Sequence, residues 1–110
     1  MNKKYSLKKS HDIELLIKKK QSVGNRYFVI YYDYNDEIKI AISISKKVGK
    51  AVVRNYNKRV MREIVRSNIE LFKGLACLIV IKEKSTELNY TEKCDEIIKL
   101  LNKIKGDKND

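Results

Sequence analysis

The chain has 110 residues, with 25 lysines and arginines against 14 aspartates and glutamates and a formal net charge of +11. That length holds one domain (residues 1–110) with one modest core and leaves no space for a separate catalytic module. The positive excess is larger than solubility demands and points to a polyanionic partner, while a hydrophobic share of 43% excludes a disordered basic tail.

The opening residues MNKKYSLKKSHDIELLIKKK are basic but contain no apolar run of signal-peptide length, and no later stretch approaches a membrane span. A cytoplasmic location and no membrane partner are expected. Ser10 can cap a first helix running to about Lys20, with Ile13, Leu16 and Ile17 at helical spacing. Gln21 to Asn25 reads as a turn or short edge strand, and Arg26 to Asp33 as an aromatic, β-branched strand. After a turn at Tyr34 to Glu37, Ile38, Ile40, Ile42 and Ile44 alternate with Lys39, Ala41, Ser43 and Ser45, the pattern of a strand with one buried face. The short connection predicts that these two strands pair antiparallel as a hairpin.

Lys46 to Lys50, with Gly49 as the flexible point, lead into a helix from about Ala51 to Ser67 or Asn68. At about 100° per residue, Arg54, Asn55, Lys58, Arg59, Arg62 and Arg66 fall within an arc of about 140°. Val53, Val60, Met61 and Ile64 fall on the other side, so an apolar face should dock on the body while a cationic face looks outward. Ile69 to Gly74 turns the chain, and the continuous apolar run Leu75 to Ile81 reads as a central strand. Ser85 to Tyr90 is a loop. From Thr91, the residues Cys94, Ile97, Ile98, Leu100, Leu101 and Ile104 predict a final amphipathic helix, with Gly106 to Asp110 as a frayed tail. The order alone implies an α+β fold, an α/β sandwich of one sheet with helices packed on it.

The cationic helix is the strongest functional signal. A solubilising face mixes both signs at i,i+4 spacing, yet Glu63 is the only acid between Glu37 and Glu70. Guanidinium forks meet phosphate oxygens in two places and stack on bases, and Asn55 adds a donor and an acceptor among them. Lys46, Lys47, Lys50 and the free amides at the helix start could share a phosphate. This chemistry suits nucleic acid.

The run Lys46-Lys47-Val48-Gly49-x-Ala51-Val52-Val53-Arg54-Asn55-x-x-Lys58-Arg59-x-x-Arg62-Glu63 resembles the RNR motif of the bacterial ribonuclease P protein family. Weaker similarity extends through Leu7-Lys8-Lys9, Asn25-Arg26, Phe28-Val29-Ile30-Tyr31 and the strand at Cys77 to Ile81. The resemblance implies a fold of order α-β-β-β-α-β-α, a mixed sheet, and a left-handed crossover through the basic helix, against the usual rule. It also implies a protein subunit of an RNA-based endonuclease that removes the 5′ leader from precursor tRNA. In such an enzyme Lys46, Lys47, Arg54, Asn55, Lys58, Arg59, Arg62 and Arg66 would contact the catalytic RNA.

A cleft receiving the leader is implied at Ile13, Ile17, Arg26, Phe28 and Tyr31. Strand alternation sends Phe28, Ile30 and Tyr32 one way and Tyr27, Val29 and Tyr31 the other, so only one set can line a groove. Ile13 and Ile17 stand where relatives carry phenylalanine, which weakens stacking from that side. The expected partners are one ribonuclease P RNA per protein and precursor tRNA, with Mg²⁺ held through the RNA and none bound tightly by the protein. No catalytic residue is expected: His11 is the only histidine, and no nucleophile context, phosphate loop or zinc spacing occurs. Asp33, Asp36 and Glu37 read as turn residues rather than a metal site. Cys77 and Cys94 read as reduced packing residues. The alternative is a stand-alone RNA-binding or ribosomal-type protein; a major-groove DNA reader would need a helix-turn-helix partner that the upstream strand replaces.

Overall fold

The computed structural model describes residues 17–18 and 21–108, with side chains to residue 106. Strands β1 (Ser22–Gly24), β2 (Phe28–Tyr34), β3 (Lys39–Ile44) and β4 (Leu75–Ile81) form one mixed sheet in the order β1-β2-β4-β3. A basic helix (Ala51–Ser67) joins β3 to β4, and a C-terminal helix (Tyr90–Lys108) follows. Ile17 and Lys18 are helical. The remainder of the predicted first helix, including Ile13, lies outside the described residues.

β4 carries the organisation of the sheet. It pairs antiparallel with β2, from Phe28 opposite Ile81 to Tyr34 opposite Leu75, and parallel with β3, from Lys39 beside Ala76 to Ile44 beside Ile81. The expected hairpin between β2 and β3 is therefore wrong. Residues on both faces of β4 are withdrawn from water, so a strand of this kind gains most from a neighbour on each edge. Placing it between β2 and β3 separates them by two strand spacings, about 10 Å, a gap that the short 35–38 connection spans easily.

The inner face of the sheet carries Phe28, Ile30 and Tyr32 from β2, Ile40 from β3, and Cys77, Ile79 and Ile81 from β4. Val60, Met61, Ile64 and Val65 of the basic helix and Ile97, Leu100, Leu101 and Ile104 of the C-terminal helix close over it in one cluster. Phe72, in a 3-10 turn at Ile69–Phe72, is fully buried in the same cluster. Gly74, at φ 80°, then turns the chain into β4.

The C-terminal helix opens with a reciprocal cap: Glu92 N–H donates to Asn89 Oδ1 at 2.8 Å and Asn89 N–H donates to Glu92 Oε1 at 3.0 Å. It continues through Gly106 to Lys108, and the last two residues of the expected frayed tail lie outside the described residues. Among the described residues, no helix is long and apolar enough to cross a membrane.

Candidate nucleic-acid interface

The approach to the basic helix is a 3-10 turn at Lys46–Val48, in which the Ser45 hydroxyl accepts from Lys47 N–H at 3.2 Å. Val48 is buried and pins the turn, while Lys46 and Lys47 stay exposed. Gly49 follows at φ 141°, a conformation that side chains rarely adopt. Lys50 then starts the helix without a side-chain cap, so the first turn keeps free N–H groups at the positive end of the dipole.

The helix buries Asn57, Val60, Met61, Ile64 and Val65. Val53, expected on the docking face, is 41% exposed instead. The buried positions begin only at Asn57, so the first two turns overhang the core and Val53 borders an open cavity instead. Val65 was not expected in the core: it falls inside the cationic arc by angle but lies at the end of the helix that sits over the sheet.

Asn55, Arg59, Arg62 and Arg66 are exposed, and Arg54 and Lys58 are half-buried. The carboxylates pair elsewhere: Glu37 with Lys39 at 3.4 Å, Glu70 with Lys73 at 2.8 Å, Glu87 with Lys84 at 3.5 Å and Glu96 with Lys99 at 3.6 Å. Among the described residues, no ion pair involves Lys46, Lys47, Arg54, Lys58, Arg59, Arg62 or Arg66. Nε of Arg54 is buried and has no hydrogen-bond partner among the described residues. The arc is an uncompensated positive field on a rigid support, able to take phosphates in succession.

A second surface lies on the outer face of the sheet. Cross-strand register places Val29 and Tyr31 of β2 beside Val80 and Leu78 of β4, with Ser43 and Ala41 of β3 beyond them. Val29, Tyr31, Ala41 and Val80 are half-buried and Ser43 is exposed. Phe28 points the other way and is only 1% exposed, so its expected place in a cleft is corrected to the core. Arg26 is exposed at the start of β2, and Ile17 is 45% exposed.

Asn25 fixes the approach to β2. Its Oδ1 accepts from the N–H groups of Tyr27 at 2.8 Å and Phe28 at 2.9 Å, and its Nδ2 donates to Glu96 of the C-terminal helix at 2.9 Å. Lys82 Nζ donates to the Asn25 carbonyl at 2.9 Å. Asn25 thereby locks the strand parity that separates Phe28 from Tyr31.

Sequence reasoning missed Lys93 and Asn57. Lys93 stands one helical step before Ile97 in the apolar stripe, a position where a lysine is out of place. It is buried, its Nζ donates to Asn57 Oδ1 at 3.2 Å, and burial pushes its pKa down from the ordinary lysine value.

Sequence and structure comparisons agree on one family. The profile of the Ribonuclease P family matches residues 1–105. The chain is 41% identical over 108 residues to the ribonuclease P protein component of Acholeplasma laidlawii, covering 96% of this chain and 93% of that one. It is 36% identical over 109 residues to the same component of Mycoplasma mycoides, covering 96% and 100%. Among solved structures, the Staphylococcus aureus RNase P protein superposes with a TM-score of 0.83 at 30% identity, covering 92% of this chain and 95% of that one. The Thermotoga maritima RNase P protein gives 0.80 at 30% identity, covering 89% and 96%. With motif, strand order and whole-chain similarity in accord, the chain belongs to the bacterial ribonuclease P protein family.

Proposed function

We propose that this chain, as a ribonuclease P protein component, holds the catalytic RNA on its basic helix and the single-stranded 5′ leader of precursor tRNA on its sheet. Lys46, Lys47, Arg54, Asn55, Lys58, Arg59, Arg62 and Arg66 form the first contact. Tyr31 and Arg26, with Ile17 and Ile13, form the second. Phosphodiester cleavage belongs to the RNA and the Mg²⁺ it binds, and the protein lowers the Mg²⁺ requirement by neutralising crowded phosphates. One protein per RNA, acting in the cytoplasm, is the simplest assembly.

The observation that carries this reading is the arc of cations on one helix without a carboxylate partner among the described residues. Reconstitution with a bacterial ribonuclease P RNA tests it. At Mg²⁺ too low for the RNA alone, adding the protein should restore cleavage of precursor tRNA at the mature 5′ end. An RNA-binding or ribosomal-type protein acting alone would give no such gain.

A further inference from the structure

On the flank of the basic helix away from the centre of its cationic arc, the overhanging first turns and the start of the C-terminal helix border a half-open cavity of about 450 Å³. That volume lies within the ~300–1,000 Å³ typical of small-ligand sites. Val60 and Leu88 supply its apolar lining. Tyr56 and Tyr90 line it while remaining 62% and 45% exposed, which places both at its mouth. Lys93, 8% exposed, lines it from within.

The polar groups inside are incompletely satisfied. Asn57 is engaged at both ends of its amide, its Oδ1 accepting from Lys93 Nζ at 3.2 Å and its Nδ2 donating to the Val53 carbonyl at 2.9 Å. The ammonium has three donors and only this one partner, and among the described residues no carboxylate neutralises it. A buried cation of this kind calls for an acceptor-bearing ligand.

We propose that this cavity takes a single unstacked nucleobase of a bound RNA, with Tyr56 and Tyr90 stacking on its faces and Lys93 donating to a carbonyl or ring nitrogen on its edge. The inference rests on the RNA-binding reading of the basic helix. Continuity with that face argues for this occupant, since Tyr56 directly follows Asn55 and lies one turn before Arg59. A strand held by those two residues passes the mouth of the cavity. The nearby carboxylates are already occupied, Glu92 by the Asn89 N–H and Glu87 by Lys84. Stacking on tyrosine tolerates any base, whereas the Lys93 donor favours bases that present acceptors.

The test uses the full chain, a fluorescein-labelled 12-nucleotide oligouridylate, and an abasic oligomer with the same backbone, titrated by anisotropy at several salt concentrations. Tyr90→Ala should bind oligouridylate about tenfold more weakly with an unchanged salt slope, lose nothing on the abasic oligomer, and be rescued by Tyr90→Phe. Lys93→Met should weaken oligouridylate alone, with thermal melting confirming that it folds. Equal losses on both oligomers, or no loss on either, overturn the inference while leaving the helix reading intact. Failure of the unaltered protein to bind both oligomers would remove that reading and the inference with it.

Discussion

Replacing Arg62 with alanine isolates the contribution of one interface cation. Arg62 is exposed and without an ion-pair partner among the described residues. The fold should therefore change by no more than about 0.5 kcal/mol, and alanine is itself a good helix former. Seven cations compose the proposed surface: Lys46, Lys47, Arg54, Lys58, Arg59, Arg62 and Arg66. At about 0.7 to 0.9 released counterions per neutralised phosphate, full engagement gives a logarithmic salt slope of about −5 to −6. Affinity should then fall about a thousandfold as salt rises from ~50 to ~200 mM. Arg62→Ala should flatten the slope by slightly less than one unit. Anisotropy of labelled ribonuclease P RNA across that range measures it, with Lys103→Ala, an exposed lysine on the C-terminal helix, as the control. A slope for Arg62→Ala that matches the control would refute the assignment of the arc to phosphates.

The parity of β2 makes adjacent aromatics behave differently: Phe28→Ala should cost about 3–5 kcal/mol in a urea melt. Tyr31→Ala should leave most stability in place and weaken binding of a single-stranded leader oligonucleotide. Gly49→Ala should destabilise by about 1–3 kcal/mol, because the new side chain would sit at φ 141° against Val53. Burial pushes the Cys77 thiol up from 9.0 to about 12, so Cys77 should resist a disulfide reagent in the native protein and react only after denaturation. Between those pH values the unfolded chain has released the Cys77 proton and the folded chain has not, so stability from this group falls as pH rises above 9. Lys93 acts in the opposite sense below its ordinary value of 10.5, where the unfolded chain retains a proton that the folded chain gives up. Urea midpoints from pH 8 to 10 should therefore fall less steeply for Cys77→Ala than for the unaltered protein.

Local pattern carried the elements and failed at their pairing. The isoleucine alternation of β3 gave its buried face, and the cation arc gave the basic helix its ends and its outer side. The hairpin expectation failed because turn length constrains only where a strand can go, whereas the apolar run of β4 requires two neighbours. Val53 was misplaced and Val65 passed over because an angular projection holds no information on where along its axis a helix meets the sheet. Lys93 was passed over because the apolar stripe was counted from Cys94, although Lys93, Ile97 and Ile104 share its spacing.

The central place of β4 has a consequence for biogenesis. The two strands it separates are made well before it, and neither can pair with it until residue 81 has left the ribosome. Until then the basic helix hangs from β3 alone, its greasy side unsheltered. On the proposed function, productive contact with RNA should therefore begin only after synthesis is nearly complete, since the support beneath the helix is the last part of the sheet to arrive.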